Sequence, residues 1–344
     1  MRKEVLAVGC ALMVFCGCGK NNAAQHYESG WAAMEKKDYT TAVNEFQQVI
    51  DQNSRLAESY RAEGIAYYSE KAYPEAIAAF SRSLNNIDDP DKEFKKDVQF
   101  YLAQARMDYG EVDKAIEVYS EILKAGEDEQ AFFLRGKAYI SMEDYKNAEK
   151  DFQRALEGCE DYNLYINIYQ IYVDHNKAVD GDAYLKMALE LEPQDGEDCY
   201  HRGRIYEYEK NYEAARDELK TAMEQGYEDA MLLLGRVYLE MEDPASARSM
   251  YQEYLQKSEQ GAKAYNGLAM CDIYDGAYDS ALENIAQGLK ENSKEDEQGL
   301  LYNEIVAYEY KRDFATAKEK MKIYLEQYPE DEAALRENEF LSTR

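Results

Sequence analysis

The chain has 344 residues, with 40 Lys and Arg against 69 Asp and Glu and a formal charge of −29. That balance argues against nucleic acid as a partner, because phosphate contact needs a basic face. Pro (5) and Gly (19) are few, which suits a chain of long helices. The first eighteen residues stand apart from the rest. Two basic residues, Arg2 and Lys3, precede an apolar run from Val5 to Phe15. This is the n-region and h-region of a secretory segment, too short for an ordinary transmembrane helix.

The run closes on Val14-Phe15-Cys16-Gly17-Cys18, which resembles a bacterial lipobox: a small residue, then the cysteine that carries lipid (palmitate among its acyl chains). Phe15 and Cys16 depart from the usual residues there. The resemblance implies a signal peptide over 1–18, lipidation at Cys18 and a tether over 19–22. The mature protein would then sit outside the cytoplasmic membrane of a bacterium, or on an outer membrane if there is one. A plain signal peptide or a short membrane anchor is the alternative.

From residue 23 a single pattern recurs. In Glu129–Glu160, Phe132, Gly136 and Tyr139 share one helical stripe. A turn, Met142-Glu143-Asp144, follows. Tyr145, Ala148, Phe152 and Ala155 then share a second stripe. The spacing predicts two amphipathic helices, closely packed where Gly136 and Ala148 lack bulk. A pair of this size cannot cover its own apolar face and needs a copy on each side.

The copies are visible as a column of small residues: Ala42, Ala76, Ala115, Ala148, Gly181, Ala215, Ala247, Ala281 and Ala317. A large apolar residue follows four places later in every copy, from Phe46 to Met321. The glycine of the first helix recurs at Gly30, Gly64, Gly136, Gly203 and Gly235. It gives way to Ala103, Tyr169, Ala269 and Ile305 in the other copies. The order aromatic, Gly, Tyr, then Tyr, Ala, Phe, Ala resembles the tetratricopeptide repeat. The resemblance implies an all-α fold, an α-solenoid superhelix of about nine repeats over 23–331. A charged capping helix would close it over 332–344, with Ala334 and Leu341 as its apolar contacts. Two longer connections, Asn85 to Lys96 and Lys290 to Gln298, read as polar loops.

Nothing in the chain points to catalysis. Walker, HExxH, GxSxG and dinucleotide patterns do not occur, so no catalytic residue and no cofactor is expected. The three histidines, His26, His175 and His201, are scattered and read as surface residues. The acidic run Asp88-Asp89-Pro90-Asp91 lacks the Gly and the bidentate Glu of an EF-hand, so no metal site is expected. Cys159, Cys199 and Cys271 lie in three different repeats and read as free thiols.

The resemblance also implies a ligand groove along a second stripe of the first helices. Here that stripe includes Trp31, Arg61, Tyr68, Phe100, Lys137, Ile140 and Ile166. It continues through Tyr200, Arg204, Tyr208, Leu232, Arg236, Asn266, Met270, Tyr274 and Tyr310. Tyr, Trp, Met and Arg are the residues of contact surfaces, although with 32 Tyr many fall there by abundance and pack between repeats. Arg61, Tyr68, Lys137, Tyr200, Arg204, Arg236 and Tyr274 are the candidate binding residues. Arg204 and Arg236 occupy equivalent places in consecutive repeats. Either acidic neighbours such as Glu207 and Glu240 neutralise them, or an anionic partner sits between them. The function expected is a non-catalytic scaffold for a protein or peptide. A self-assembling structural component, or an accessory subunit of an envelope complex, is the alternative.

Overall fold

The structure is a computed structural model and describes residues 22–87, 92–258, 260–291 and 293–344. The signal-peptide and Cys18 expectations, and the Asp88–Asp91 run, lie outside the described residues. The described residues form helices and no strands. The chain divides into two compact units, Met1–Asp182 and Ala183–Arg344.

In the first unit the helices are α1 (Asn22–Glu35), α2 (Tyr39–Asp51), α3 (Leu56–Ser69), α4 (Tyr73–Asn85) and α5 (Lys92–Tyr109), then α6 (Val112–Ala125), α7 (Glu129–Ser141), α8 (Tyr145–Ala155) and α9 (Tyr162–Asp174). Helix α10 (Ala178–Leu189) runs across the division. The second unit continues with α11 (Gly196–Tyr208), α12 (Tyr212–Glu224), α13 (Ala230–Glu240), α14 (Pro244–Lys257) and α15 (Ala262–Tyr274). It ends with α16 (Tyr278–Lys290), α17 (Glu297–Tyr310), α18 (Phe314–Gln327) and α19 (Glu332–Ser342). The architecture is the expected all-α one, with nine helix pairs and a terminal helix among the described residues.

The column of small residues explains the pairing. All eight of its alanines have no exposed surface. The large residues four places on, such as Phe46, Phe80, Phe152 and Leu219, are equally buried and form the core between the two helices of a pair. Tyr145, its equivalents and Phe314 are only half-buried, so they rim this core and do not fill it. At the C-terminal end Ala334 and Leu341 have no exposed surface, and Asp331 caps α19 through Ala333 N and Ala334 N. That is the closure an open-ended array needs.

The turn inside each pair has one backbone design, and in five of the pairs a side-chain cap is added to it. Glu143 takes a left-handed conformation (φ 58°), and the Asp144 N–H donates to Tyr139 O over 2.9 Å, closing α7. The Asp144 side chain then accepts from Asn147 N and opens α8. One residue therefore ends one helix and starts the next. Asp38, Asn211, Asp243 and Asp313 do the same at their turns.

Three expectations need correction. Lys92 to Lys96 are not loop; they add a turn to α5, which at 18 residues is the longest helix. Ile140 (0% exposed) and Ile166 (1%) face the core and not a groove, because the helix stripe wraps inward at those positions. His201 is buried (5% exposed), held on the inner face of α11 between Tyr200 and Arg204.

Candidate functional site: a cavity along the first helices of the second unit

In the second unit α11, α13, α15 and α17 are neighbours in series. Their common surface carries a cavity of about 760 Å³. That is within the range of roughly 300–1,000 Å³ typical of ligand sites. Apolar surface comes from Tyr200 on α11, Leu232 on α13 and Met270 on α15. Tyr251 and Tyr254 of α14 lie behind them, 3% and 7% exposed.

Close packing beneath this surface depends on two glycines. A β-carbon at Gly235 would stand 2.6 Å from the Tyr251 ring, and one at Gly267 would stand 2.2 Å from it. The ring is wedged between α13 and α15, and no side chain fits at either place without displacing it. Gly235 belongs to the repeating glycine column. Gly267 does not, and it passed unnoticed because its partner lies in the preceding repeat.

Polar groups are arranged in opposed sets. Arg236 Nη2 donates to Glu207 Oε2 over 2.6 Å. Lys263 Nζ lies 3.4 Å from Glu295 and 3.9 Å from Asp296. Partial burial pulls the Lys263 ammonium down, but Asp296, Glu295 and Asp229 more than offset this and hold its pKa above the ordinary value. Burial pushes the Tyr200 hydroxyl up, and that of Tyr227, 4.9 Å away ring to ring, up to about 12. Both stay neutral donors at ordinary pH.

Of the candidates, the structure brings Tyr200 and Arg236 together in this cavity. Arg204 lies beside them, its guanidinium 5.9 Å from the Tyr200 ring centre and 3.3 Å from His201 Nδ1. The imidazole nitrogen accepts there, because a guanidinium can only donate. The counter-charge of Arg236 is Glu207, from the repeat that carries Arg204, while Glu240 accepts from the Tyr212 hydroxyl. Tyr274 is 54% exposed further along α15 and does not line the cavity.

Arg61, Tyr68 and Lys137 belong to the first unit and form no part of this site. Arg61 is held by the Asp97 carboxylate and stacks over Tyr101, 5.2 Å from its centre. Tyr68 donates to Asp108. Lys137 is exposed on α7. Sequence reasoning missed Lys263, Asp229 and the α16–α17 connection, whose Glu291, Ser293, Glu295 and Asp296 reach the cavity. The one signal was the lengthened spacing at that connection.

No three His, Cys, Asp or Glu side chains among the described residues are grouped to hold a metal. Cys159, Cys199 and Cys271 are free thiols. Sequence profiles of the tetratricopeptide repeat match residues 27–92, 200–262 and 232–297, and a second such profile matches 129–161. Together these segments exceed half the chain. The chain is a tetratricopeptide-repeat protein.

No curated protein sequence matches this tetratricopeptide-repeat chain. Solved structures similar to it include YrrB, a TPR protein with an unusual peptide-binding site: 26% identity, TM-score 0.36, covering 55% of this chain and 97% of that one. A tetratricopeptide-repeat protein of Parabacteroides merdae has 16% identity and a TM-score of 0.46, covering 83% of this chain and 99% of that one. Yeast Tom70 has 15% identity and a TM-score of 0.47, covering 89% and 78% respectively.

Proposed function

We propose that this tetratricopeptide-repeat protein is a non-catalytic scaffold that holds a segment of another protein against the first helices of its second unit. The observation that carries the reading is the cavity itself. Three consecutive first helices supply an apolar bed of Tyr200, Leu232 and Met270 beside fixed charges, the composition of a recognition surface. The apolar run ending at Cys18 supports a lipid anchor that holds the scaffold on the outer side of a bacterial membrane.

A photo-crosslinking amino acid at Met270 tests the groove in the native envelope. A discrete protein adduct is expected there and not at Lys137. Adducts at Lys137 alone would count against the groove. For the anchor, Cys18→Ala is expected to abolish both lipid labelling and membrane partitioning. Retention of label would rule Cys18 out.

Self-assembly is the second reading, favoured by Ile323, Leu335 and Phe340 on the last two helices, which are 45%, 43% and 41% exposed. A closed oligomer or a fibre in light scattering would favour it; a monomer would favour the groove.

A further inference from the structure

The charges around the cavity give the sign of its occupant. Two cations face it, Arg236 and Lys263. Arg236 is already neutralised by Glu207 at 2.6 Å. Lys263 alone answers Asp229, Glu295 and Asp296, and Glu291 adds a further carboxylate to the rim. Arg204, beside Tyr200, is a further cation nearby, but the carboxylates still outnumber the cations, and Lys263, 52% exposed on a flexible stem, is the cation set among them. The long-range field has the same sign, since the chain carries −29. An anionic ligand entering here would meet that field and would find no free cation.

We propose that the occupant of this cavity is a cationic peptide segment: a Lys or Arg side chain that takes up the Asp229, Glu291, Glu295 and Asp296 carboxylates, next to an aliphatic or aromatic residue lying on Leu232, Met270 and Tyr200. Lys263 then acts as an internal stand-in, holding in the empty protein the place that the partner's cation takes. The proposal rests on the groove reading above and adds the partner's chemistry to it.

The stand-in makes the test directional. Removing a native cation should strengthen the binding of a cationic partner and weaken that of an anionic one. Random nonapeptides displayed on phage are selected against the full chain in detergent, which keeps both units. The enriched peptides are then measured by titration. The expected peptides carry Lys or Arg beside Leu, Met, Phe or Tyr. Lys263→Ala should tighten them about threefold or more, and Asp229→Asn with Glu291→Gln should weaken them about tenfold, more at low salt. A charge-matched control, Glu143→Gln with Glu160→Gln in the first unit, should leave affinity unchanged. Equal loss in that control would reduce the effect to net charge and overturn the proposal.

Peptides that are acidic or neutral, or that weaken with Lys263→Ala, also overturn it. If those same peptides are lost in Met270→Ala with Leu232→Ala, the groove reading stands without it. If no peptide is enriched, or none responds to Met270→Ala with Leu232→Ala, both fail. Circular dichroism of each variant separates loss of binding from loss of fold.

Discussion

A β-carbon at Gly136 would stand 2.7 Å from the ring of Phe152. The two residues are sixteen apart, and the relationship repeats. Gly30 meets Phe46 (2.5 Å), Gly64 meets Phe80 (2.6 Å), and Gly203 meets Leu219 (2.6 Å). Where the glycine is replaced, the counterparts differ: Ala269 has Ile285, whereas Ala103 keeps Tyr119 at the corresponding place, each pair within one core cluster. The glycine therefore admits the large residue of the second helix; it does not serve to bring Gly136 and Ala148 together. Gly136→Ala gains about 1 kcal/mol of helix propensity but overpacks a fully buried ring at about 1–3 kcal/mol. A lowered melting temperature is expected. The same substitution in a Phe152→Ile background, which copies Ala269 and Ile285, should cost less. An additive double-mutant cycle would show that the ring is not the obstacle.

Left-handed turn residues offer the opposite result. Lys37, Lys71, Glu143, Asn176, Lys210, Glu242 and Arg312 have φ between 57° and 62°, and each lies five residues before a member of the small column. Gly110 and Gly276 occupy that place in the other two repeats. A non-glycine residue there costs about 1–2 kcal/mol, and glycine gives back about 0.4–1 kcal/mol through unfolded-state entropy. Lys210→Gly is expected to raise the melting temperature, by up to about 1 kcal/mol of stability. Glu143→Leu, which looks harmless in a turn, keeps the strained conformation and gains nothing. A fall in melting temperature with Lys210→Gly would refute this account.

The helix pairs were legible because close packing leaves a periodic trace: small residues at each crossing, large ones four places on. What depends on contact between repeats was not legible. Gly267 is needed by Tyr251 of the preceding repeat, and no single-repeat pattern marks it. Ile140 and His201 read as surface positions, yet neighbouring helices bury them. For Arg236 the sequence leaves two readings open, acidic neighbours such as Glu207 and Glu240 or an anionic partner, and the structure favours the first by placing Glu207, twenty-nine residues earlier, beside it. Charge in a repeat array is settled between neighbours, so a column of Arg residues alone says little about the ligand.

One buried column explains a weak point in the first unit. Arg135 bonds Asp151 at 2.7 Å and Arg202 bonds Glu218 at 2.8 Å, sixteen residues apart in each case. Glu304 and Lys320 form the same pair with the charges exchanged, at 2.8 Å. Glu63 holds that place in the second repeat, but Ala79 stands opposite it. Glu63 is 3% exposed, and its Oε2 is buried without a partner. Burial pushes its carboxyl above the usual range. A buried unsatisfied polar group costs about 1–3 kcal/mol, so Glu63→Leu, which copies Leu102, Leu234 and Leu268, should raise the melting temperature. The native glutamate binds its proton more tightly folded than unfolded, so it destabilises the fold as pH rises from about 4.3. The gain from Glu63→Leu should therefore be larger at neutral than at acid pH. A gain independent of pH would point to packing alone.

The capping helix should respond to pH in two opposite ways. Asp331 is held below the usual carboxylate range by the Tyr324 hydroxyl and by the Ala334 N–H. Its folded pKa is depressed, so its contribution is present above the unfolded value of about 3.9 and is lost as pH falls through the folded one. Glu309 on α17 is the reverse case. Burial first, then Glu337 of α19, push it up to about 7, and its Oε1 is buried without a partner. Glu309 therefore keeps its proton to higher pH than an ordinary carboxyl does. The Tyr302 hydroxyl feels both carboxylates, together with Asp331 and Arg336. The folded pKa is raised, so stability is fully present below about 4.3 and is lost as pH rises towards 7. Docking of α19 should thus weaken from mildly acid to mildly alkaline pH. Glu337→Gln removes the like charge and should reduce that weakening without abolishing it, because burial of Glu309 is the larger cause, while acid lability through Asp331 remains. Hydrogen exchange of the α19 amides as a function of pH reads this directly. Protection that is flat across neutrality in the native chain would refute the raised pKa of Glu309.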